Sequence, residues 1–287
     1  MTSHASGCGW STWTARPEHR RARGRLGLST RRSAMALLTC HFFSDALGVS
    51  TAATVVLPQA TQTQIGMRGV ADDAPPPVLY LLHGLSDDET IWTRRTSVER
   101  YAARRGVAVV MPRGGRSFYA DEVHGGAYWT HLTVELPAVV ASFFRVSTRR
   151  EDTFVAGLSM GGYGAFKWAL RRPERFAAAA SLSGALDVAG DAHLWDAEVP
   201  QVWGGRPPGP DDDLVALVER ADPAALPALF VSCGTQDFLH GANLRWLEAA
   251  RRRGVDVHAD VDGPGDHDWE YWDASIQDVL DWLPLRR

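Results

Sequence analysis

The sequence predicts an α/β fold, a mostly parallel central sheet with helices on both faces. Short, continuously apolar runs recur along the chain, and helix-length stretches alternate with them. One such run passes through a glycine-flanked turn straight into a helical pattern. Strands covered on both faces read as unbroken apolar runs, and strand–helix alternation builds parallel sheets. Strand-like runs fall at His41–Phe43, Thr54–Leu57, Val78–Leu82, Val107–Met111, Thr153–Gly157, Ala177–Leu182, Leu229–Ser232 and Val255–Val261. Helix-like stretches lie at about 90–105, 132–145, 161–171, 242–253 and 269–282. The first two strands are close enough in sequence to form an antiparallel edge.

Two segments depart from this rhythm. Residues 1–34 are rich in arginine, serine, threonine and glycine and show neither period, so they are expected to stay disordered. The apolar stretch after the arginines, Ala34 to Leu38, is too short for a secretory signal. The simplest account takes Met35 as the true start and the preceding residues as a reading frame drawn too far upstream. Residues 35–287 then form a single domain. Within it, residues 187–226 carry Pro200, Pro207, Pro208, Pro210 and Pro223 and read as an insertion, a candidate lid or pocket wall. Its acidic run, Asp211 to Asp213, is expected to be a solvated face.

Composition narrows the function. A formal net charge of -4 lacks the basic surface that nucleic-acid binding needs. No run approaches the ~18 apolar residues of a membrane span. The three cysteines form neither a disulfide framework nor a metal spacing, which fits a cytoplasmic protein. No metal or cofactor is expected. The oligomeric state is left open, a homo-oligomer included.

The chemistry centres on Gly157-Leu158-Ser159-Met160-Gly161. A strand enters it and a helix leaves it. Such a turn forces strained angles at the serine, and side chains at 157 and 161 would clash. The hydroxyl then stands exposed at the sheet edge. A serine needs a base, and the base an orienting acid, in the chain order Ser, Asp, His for this kind of elbow. His267 is the preferred base, in a turn-rich loop between the last strand and last helix; His240 competes, while His193 and His258 are placed less well. Asp237, at the end of the penultimate strand, is the preferred acid, and Asp187 competes. The oxyanion donors are expected to be the Met160 N–H and, after the strand ending in His83-Gly84, the Leu85 N–H. His83 itself is read as structural, and Cys233 as a small buried residue. Tyr119, Trp129, Trp195 and Phe238 are candidate pocket walls.

These residues also resemble a known family. Tyr80 to Leu85, Trp92 with Arg95 to Arg100, Gly157 to Gly164, Ser183 to Ala185, Gln236 to Leu239 and Asp266 to Trp272 are similar to motifs of the esterase D-like group. That group includes tributyrin esterases, S-formylglutathione hydrolases, carbohydrate acetyl and feruloyl esterases and mycolyltransferases. The resemblance is nearest to the bacterial tributyrin esterase branch and covers about residues 36–284. It implies an α/β-hydrolase fold, a Ser159–Asp237–His267 triad, Leu85 and Met160 as oxyanion donors, and a small-molecule ester as substrate. S-formylglutathione hydrolases usually carry histidine before the nucleophile, where this chain has Leu158. The expected activity is hydrolysis of short-chain acyl esters through an acyl-enzyme. The rivals are acyl transfer, thioester hydrolysis and a non-catalytic binding module.

Overall fold

The computed structural model describes residues 32–61, 65–66, 69–71 and 73–285. The expectations for residues 1–31 lie outside the described residues. Strand β1 (Arg32–Ser44) pairs antiparallel with β2 (Val49–Thr61) along its whole length, from Arg32 against Thr61 to Ser44 against Val49. Both strands are far longer than their apolar patterns. An edge ladder is closed by backbone hydrogen bonds, which need no apolar period. The ladder begins ahead of Met35: residues 32–34 belong to β1, and Ala34 is buried.

The remaining strands are β3 (Val78–Leu82), β4 (Ala108–Pro112), β5 (Thr153–Leu158), β6 (Ala178–Leu182), β7 (Ala228–Ser232) and β8 (His258–Asp260). The sheet order is β1-β2-β4-β3-β5-β6-β7-β8. β2 meets β4 antiparallel, and every later pairing is parallel. β8 keeps only three residues of the run expected at 255–261. The helices are α1 (Ile91–Arg95), α2 (Val98–Arg105), α3 (Tyr128–Thr130), α4 (Leu136–Phe143), α5 (Met160–Arg171), α6 (Val199–Trp203), α7 (Leu214–Glu219), α8 (His240–Arg253) and α9 (Trp269–Trp282). A π-helical turn, His131–Glu135, joins α3 to α4. The stretch expected as one helix over 90–105 breaks at Thr96. Asp273 of α9 captures the Ser97 N–H at 3.1 Å and the Tyr101 hydroxyl, so the second helix starts afresh.

Strand alternation divides the core in two. Val155 of β5 faces one apolar layer with Tyr163, Phe166 and Trp246 of α5 and α8. Phe154, Ala156 and Leu158 face the other, with Trp92, Tyr101, Trp272 and Ile276 of α1, α2 and α9. Each large apolar side chain so buried contributes roughly 1.5–3 kcal/mol. Among the described residues no helix is long and apolar enough to cross a membrane.

The insertion is not a bare loop. It holds α6 and α7, and the acidic run anchors it, a correction to the expected solvated face. Asp212 forms an ion pair at 2.5 Å with Lys167 of α5, which is fully buried. Its other carboxylate oxygen accepts from the Trp203 indole, and its carbonyl accepts from the Tyr163 hydroxyl. Asp213 caps α7 through the Val215 and Ala216 N–H groups. A buried ammonium demands a counter-charge, and Asp212 supplies it in direct contact.

Candidate active site

Register brings the site together. Leu82 pairs with Gly157, Leu158 with Leu182, and Leu182 with Ser232. The residues that follow these strands therefore emerge side by side at the carboxyl edge, where open α/β sheets bind ligands. Ser159 follows β5 with φ 53° and ψ -117°, in the left-handed half of backbone space. The turn is sterically interlocked: a Cβ on Gly157 would stand 2.3 Å from the Gly161 carbonyl oxygen, and one on Gly161 would stand 2.4 Å from the Leu82 oxygen. Real Cβ atoms cannot approach backbone so closely, so both positions require glycine.

His267 precedes α9, whose N-cap Asp268 accepts the Tyr271 N–H at 2.9 Å. Its Nε2 lies 3.1 Å from Ser159 Oγ. Its Nδ1 lies 3.0 and 2.9 Å from the two Asp237 carboxylate oxygens. The carboxylate can only accept, so Nδ1 carries a proton, and Nε2 is the ring nitrogen that faces the serine. Asp237 and His267 are held by a zipper between their loops. Thr235 N–H donates to Gly263 O, Gln236 N–H to Gly265 O, and Gly265 N–H to the Gln236 side chain. Gly234 has no Cβ, and one there would strike Gly265 O at 2.2 Å. Burial alone would push the Asp237 carboxyl up. The His267 bond and charge, the Leu239 N–H and the Ser183 hydroxyl outweigh it and hold the group below the ordinary carboxylate range.

The competing residues are engaged elsewhere. Asp187 pairs with Arg245 and accepts the Gly190 N–H. His240 Nε2 is bonded to Val261 O at 2.9 Å, and His258 stacks on Phe230.

The loop after β3 lies against Ser159. A Cβ on Gly84 would stand 3.8 Å from Ser159 Cβ. His83 is buried and fixed as a neutral ring: Nε2 accepts the Gly114 N–H at 2.8 Å, so Nδ1–H donates to Gly84 O at 2.6 Å. Burial pushes its pKa down, against the pull of Asp87, Asp88 and Glu89. The Gly84 carbonyl and the Leu85 N–H belong to one trans peptide. Holding the carbonyl toward His83 directs the Leu85 N–H the opposite way. The Met160 N–H opens α5, where first-turn donors have no intrahelical acceptor.

The four candidate pocket walls separate. Phe238 is 58% exposed, and its ring centroid lies 4.5 Å from that of His267. Tyr119, Trp129 and Trp195 are buried in the core layer. Tyr119 donates its hydroxyl to His83 O at 3.0 Å, and so braces the loop. Trp129 carries the Lys167 ammonium and the Arg171 guanidinium on its ring. Trp195 packs edge-on to Phe118. These rings are consumed by packing, as large aromatics usually are. Sequence reasoning gave no role to Trp272, whose ring stands edge-on to His267 and whose indole N–H donates to Ser183 Oγ at 3.1 Å.

Known proteins share this architecture. The family model described as "Putative esterase" matches residues 44–283. An acetyl esterase of Caldicellulosiruptor saccharolyticus is 30% identical, over 87% of this chain and 98% of that protein. The substrate-bound structure of FphF, a fluorophosphonate-binding serine hydrolase of Staphylococcus aureus, superposes with a TM-score of 0.77 at 34% identity, covering 87% of this chain and 98% of that one. The apoenzyme structure of the S-formylglutathione hydrolase FrmB of Staphylococcus aureus gives 0.75 at 34% identity, with the same coverage. A family match over most of the length, on a strand–elbow–helix scaffold, means that the chain belongs to this esterase family and is a serine hydrolase of the α/β-hydrolase fold acting on carboxylic esters.

Proposed function

We propose that the enzyme hydrolyses short-chain acyl esters, with Ser159 as nucleophile, His267 as general base and acid, and Asp237 as the orienting carboxylate. The observation that carries this reading is the Ser159 Oγ–His267 Nε2 distance of 3.1 Å, with both Asp237 oxygens on the other ring nitrogen. Nε2 takes the hydroxyl proton as Oγ attacks the ester carbonyl. The tetrahedral oxyanion forms between the Leu85 and Met160 N–H groups. Its collapse sends the proton from Nε2 to the leaving alkoxide and frees the alcohol. Water then repeats the sequence on the acyl-enzyme. Phe238 lies against the imidazole that protonates the leaving oxygen, so it borders the alcohol half of the substrate. The preference for short acyl groups is supported by the acetyl esterase relative and by Ser159, whose position is almost wholly enclosed.

Ser159→Ala should lower kcat by about 10⁴- to 10⁶-fold without unfolding the protein. A fluorophosphonate should label the unchanged protein and not the variant. On p-nitrophenyl esters, kcat/KM should fall as the acyl chain lengthens beyond butyryl. A variant keeping a tenth of the activity would remove Ser159 from the mechanism, and a rise with chain length would remove the substrate class. The likeness to FrmB favours thioester hydrolysis as a second reading, so the panel includes an acyl thioester. A thioester kcat/KM above that of the matching oxygen ester would prefer it.

A further inference from the structure

We propose that Asp87 is a specificity-determining residue of this site, a carboxylate beside Ser159 that favours esters carrying a positive charge over their uncharged isosteres. The inference rests on Ser159 being the nucleophile, and it adds a substrate class to that reading. Asp87 reaches the site by a turn. Its N–H donates to the Gly84 carbonyl at 3.3 Å, and the turn folds its side chain back over Gly84. The place that a Cβ on Gly84 would fill lies 3.0 Å from Asp87 Oδ2 and 3.8 Å from Ser159 Cβ. Carboxylate and serine thus flank one small residue of the β3 loop, the residue that precedes the Leu85 N–H. An ester whose oxyanion meets that N–H is within reach of Asp87 through a short substituent.

The other charges of this loop and the next are already matched. Asp88 accepts the Thr90 N–H at 2.9 Å and the Thr90 hydroxyl at 2.6 Å. Glu89 is buried and takes two bonds from Arg113, at 2.6 and 2.8 Å. Arg116 is spent on Glu198. Asp87 differs. It is half-buried, and among the described residues no cation is in contact with it; Arg95 acts on it only through space. Burial is the largest influence on its carboxyl and pushes the pKa up. A charge taken partly out of water without a partner is costly, and a ligand cation that supplies the partner removes that penalty. The attraction also exceeds its value in open water, because the turn keeps part of the solvent away. The same carboxylate opposes the oxyanion of every ester alike, so that effect cancels when charged and uncharged esters of one shape are compared.

The test measures kcat/KM for isosteric ester pairs at neutral pH. One pair charges the alcohol half, acetylcholine against its uncharged carbon isostere, neohexyl acetate. The other charges the acyl half, β-alanine methyl ester against methyl butanoate. In the unchanged enzyme the charged-to-uncharged ratio should exceed that of Asp87→Asn and of Asp87→Ser by on the order of 10-fold in at least one pair. The pair that responds tells which half of the ester lies beside Asp87. Molar salt should shrink the ratio of the unchanged enzyme toward that of the variants. Asp88→Asn removes the neighbouring charge and should leave the ratio near that of the unchanged enzyme. Ratios that stay put in both Asp87 variants and both pairs overturn the inference, and so does an equal drop in Asp88→Asn. Should the Asp87 variants fail to fold, a ratio indifferent to salt overturns it too. Fluorophosphonate separates this failure from that of the underlying reading. If it labels the unchanged enzyme and not Ser159→Ala, this inference alone falls; an unchanged enzyme that does not label overturns both.

Discussion

At the scale of single residues, the site is decided by which polar group each side chain can reach. Asp237 and Asp187 both follow apolar strands, and only their partners tell them apart. Asp237→Asn should lose about 10²- to 10⁴-fold in kcat, because the imidazole loses the acceptor that fixes its tautomer. Asp187→Asn, which gives up a half-exposed ion pair with Arg245, should stay near normal. Steady-state kinetics decide it, and the opposite ranking would move the acid to Asp187. His83 makes a second prediction. Its folded pKa is depressed, so the unfolded chain takes up the proton first as pH falls. Its contribution is complete above the ordinary value of 6.5 and is lost as pH drops toward the folded value. The melting temperature should therefore fall below pH 6.5, and less steeply in His83→Gln, which can still accept from Gly114 and donate to Gly84. Equal slopes would remove His83 as the cause. Ser159, Asp237 and His267 stood out in the sequence because glycines and strand ends mark their positions. The brace on the His83 loop did not, because Gly114 and Tyr119 lie 31 and 36 residues away.

At the scale of elements, apolar period located the buried strands and misjudged whatever the backbone or a charge pair builds. β3, β5 and β7 fall within a residue or so of their apolar runs, since both faces are covered. β1 exceeds its run because an edge ladder is indifferent to side chains. The insertion was legible as a break in rhythm, but its anchor was not, because Lys167 and Asp212 lie on different elements and meet only in the fold. That anchor has a measurable asymmetry. Asp212→Asn strands a buried ammonium and should cost about 3 kcal/mol, the low end for a buried pair because Asp212 is partly exposed. Lys167→Met removes the charge itself and should cost less. Denaturant unfolding of the two variants gives the order, and a neutral Asp212→Asn would show that another group serves the lysine.

At the scale of the molecule, the parallel register gathers chemistry from four separated stretches onto one edge, so fold class and site were legible together. What remained illegible was the pocket, because three of the four aromatic candidates were spent on packing and the sequence does not say which way a ring faces. The zipper between the loops of Asp237 and His267 has a further meaning. Both ends of the stretch from 238 to 262 are clamped by main-chain bonds, and the stretch itself, α8 and β8, runs out and back between them. Its length is therefore uncoupled from the distance between Asp237 and His267. The far bend at Gly254, exposed and at φ 79°, is a place where the chain can be lengthened at the small entropic cost of a longer loop. A Gly-Ser insert of a few residues there should lower stability slightly and leave kcat unchanged, whereas one residue inserted between Gly263 and Gly265 should abolish turnover. Gly254, 17 residues after Asp237, is thus a natural port for a tag or a second domain, set apart from Asp237 and His267 by two clamped loops.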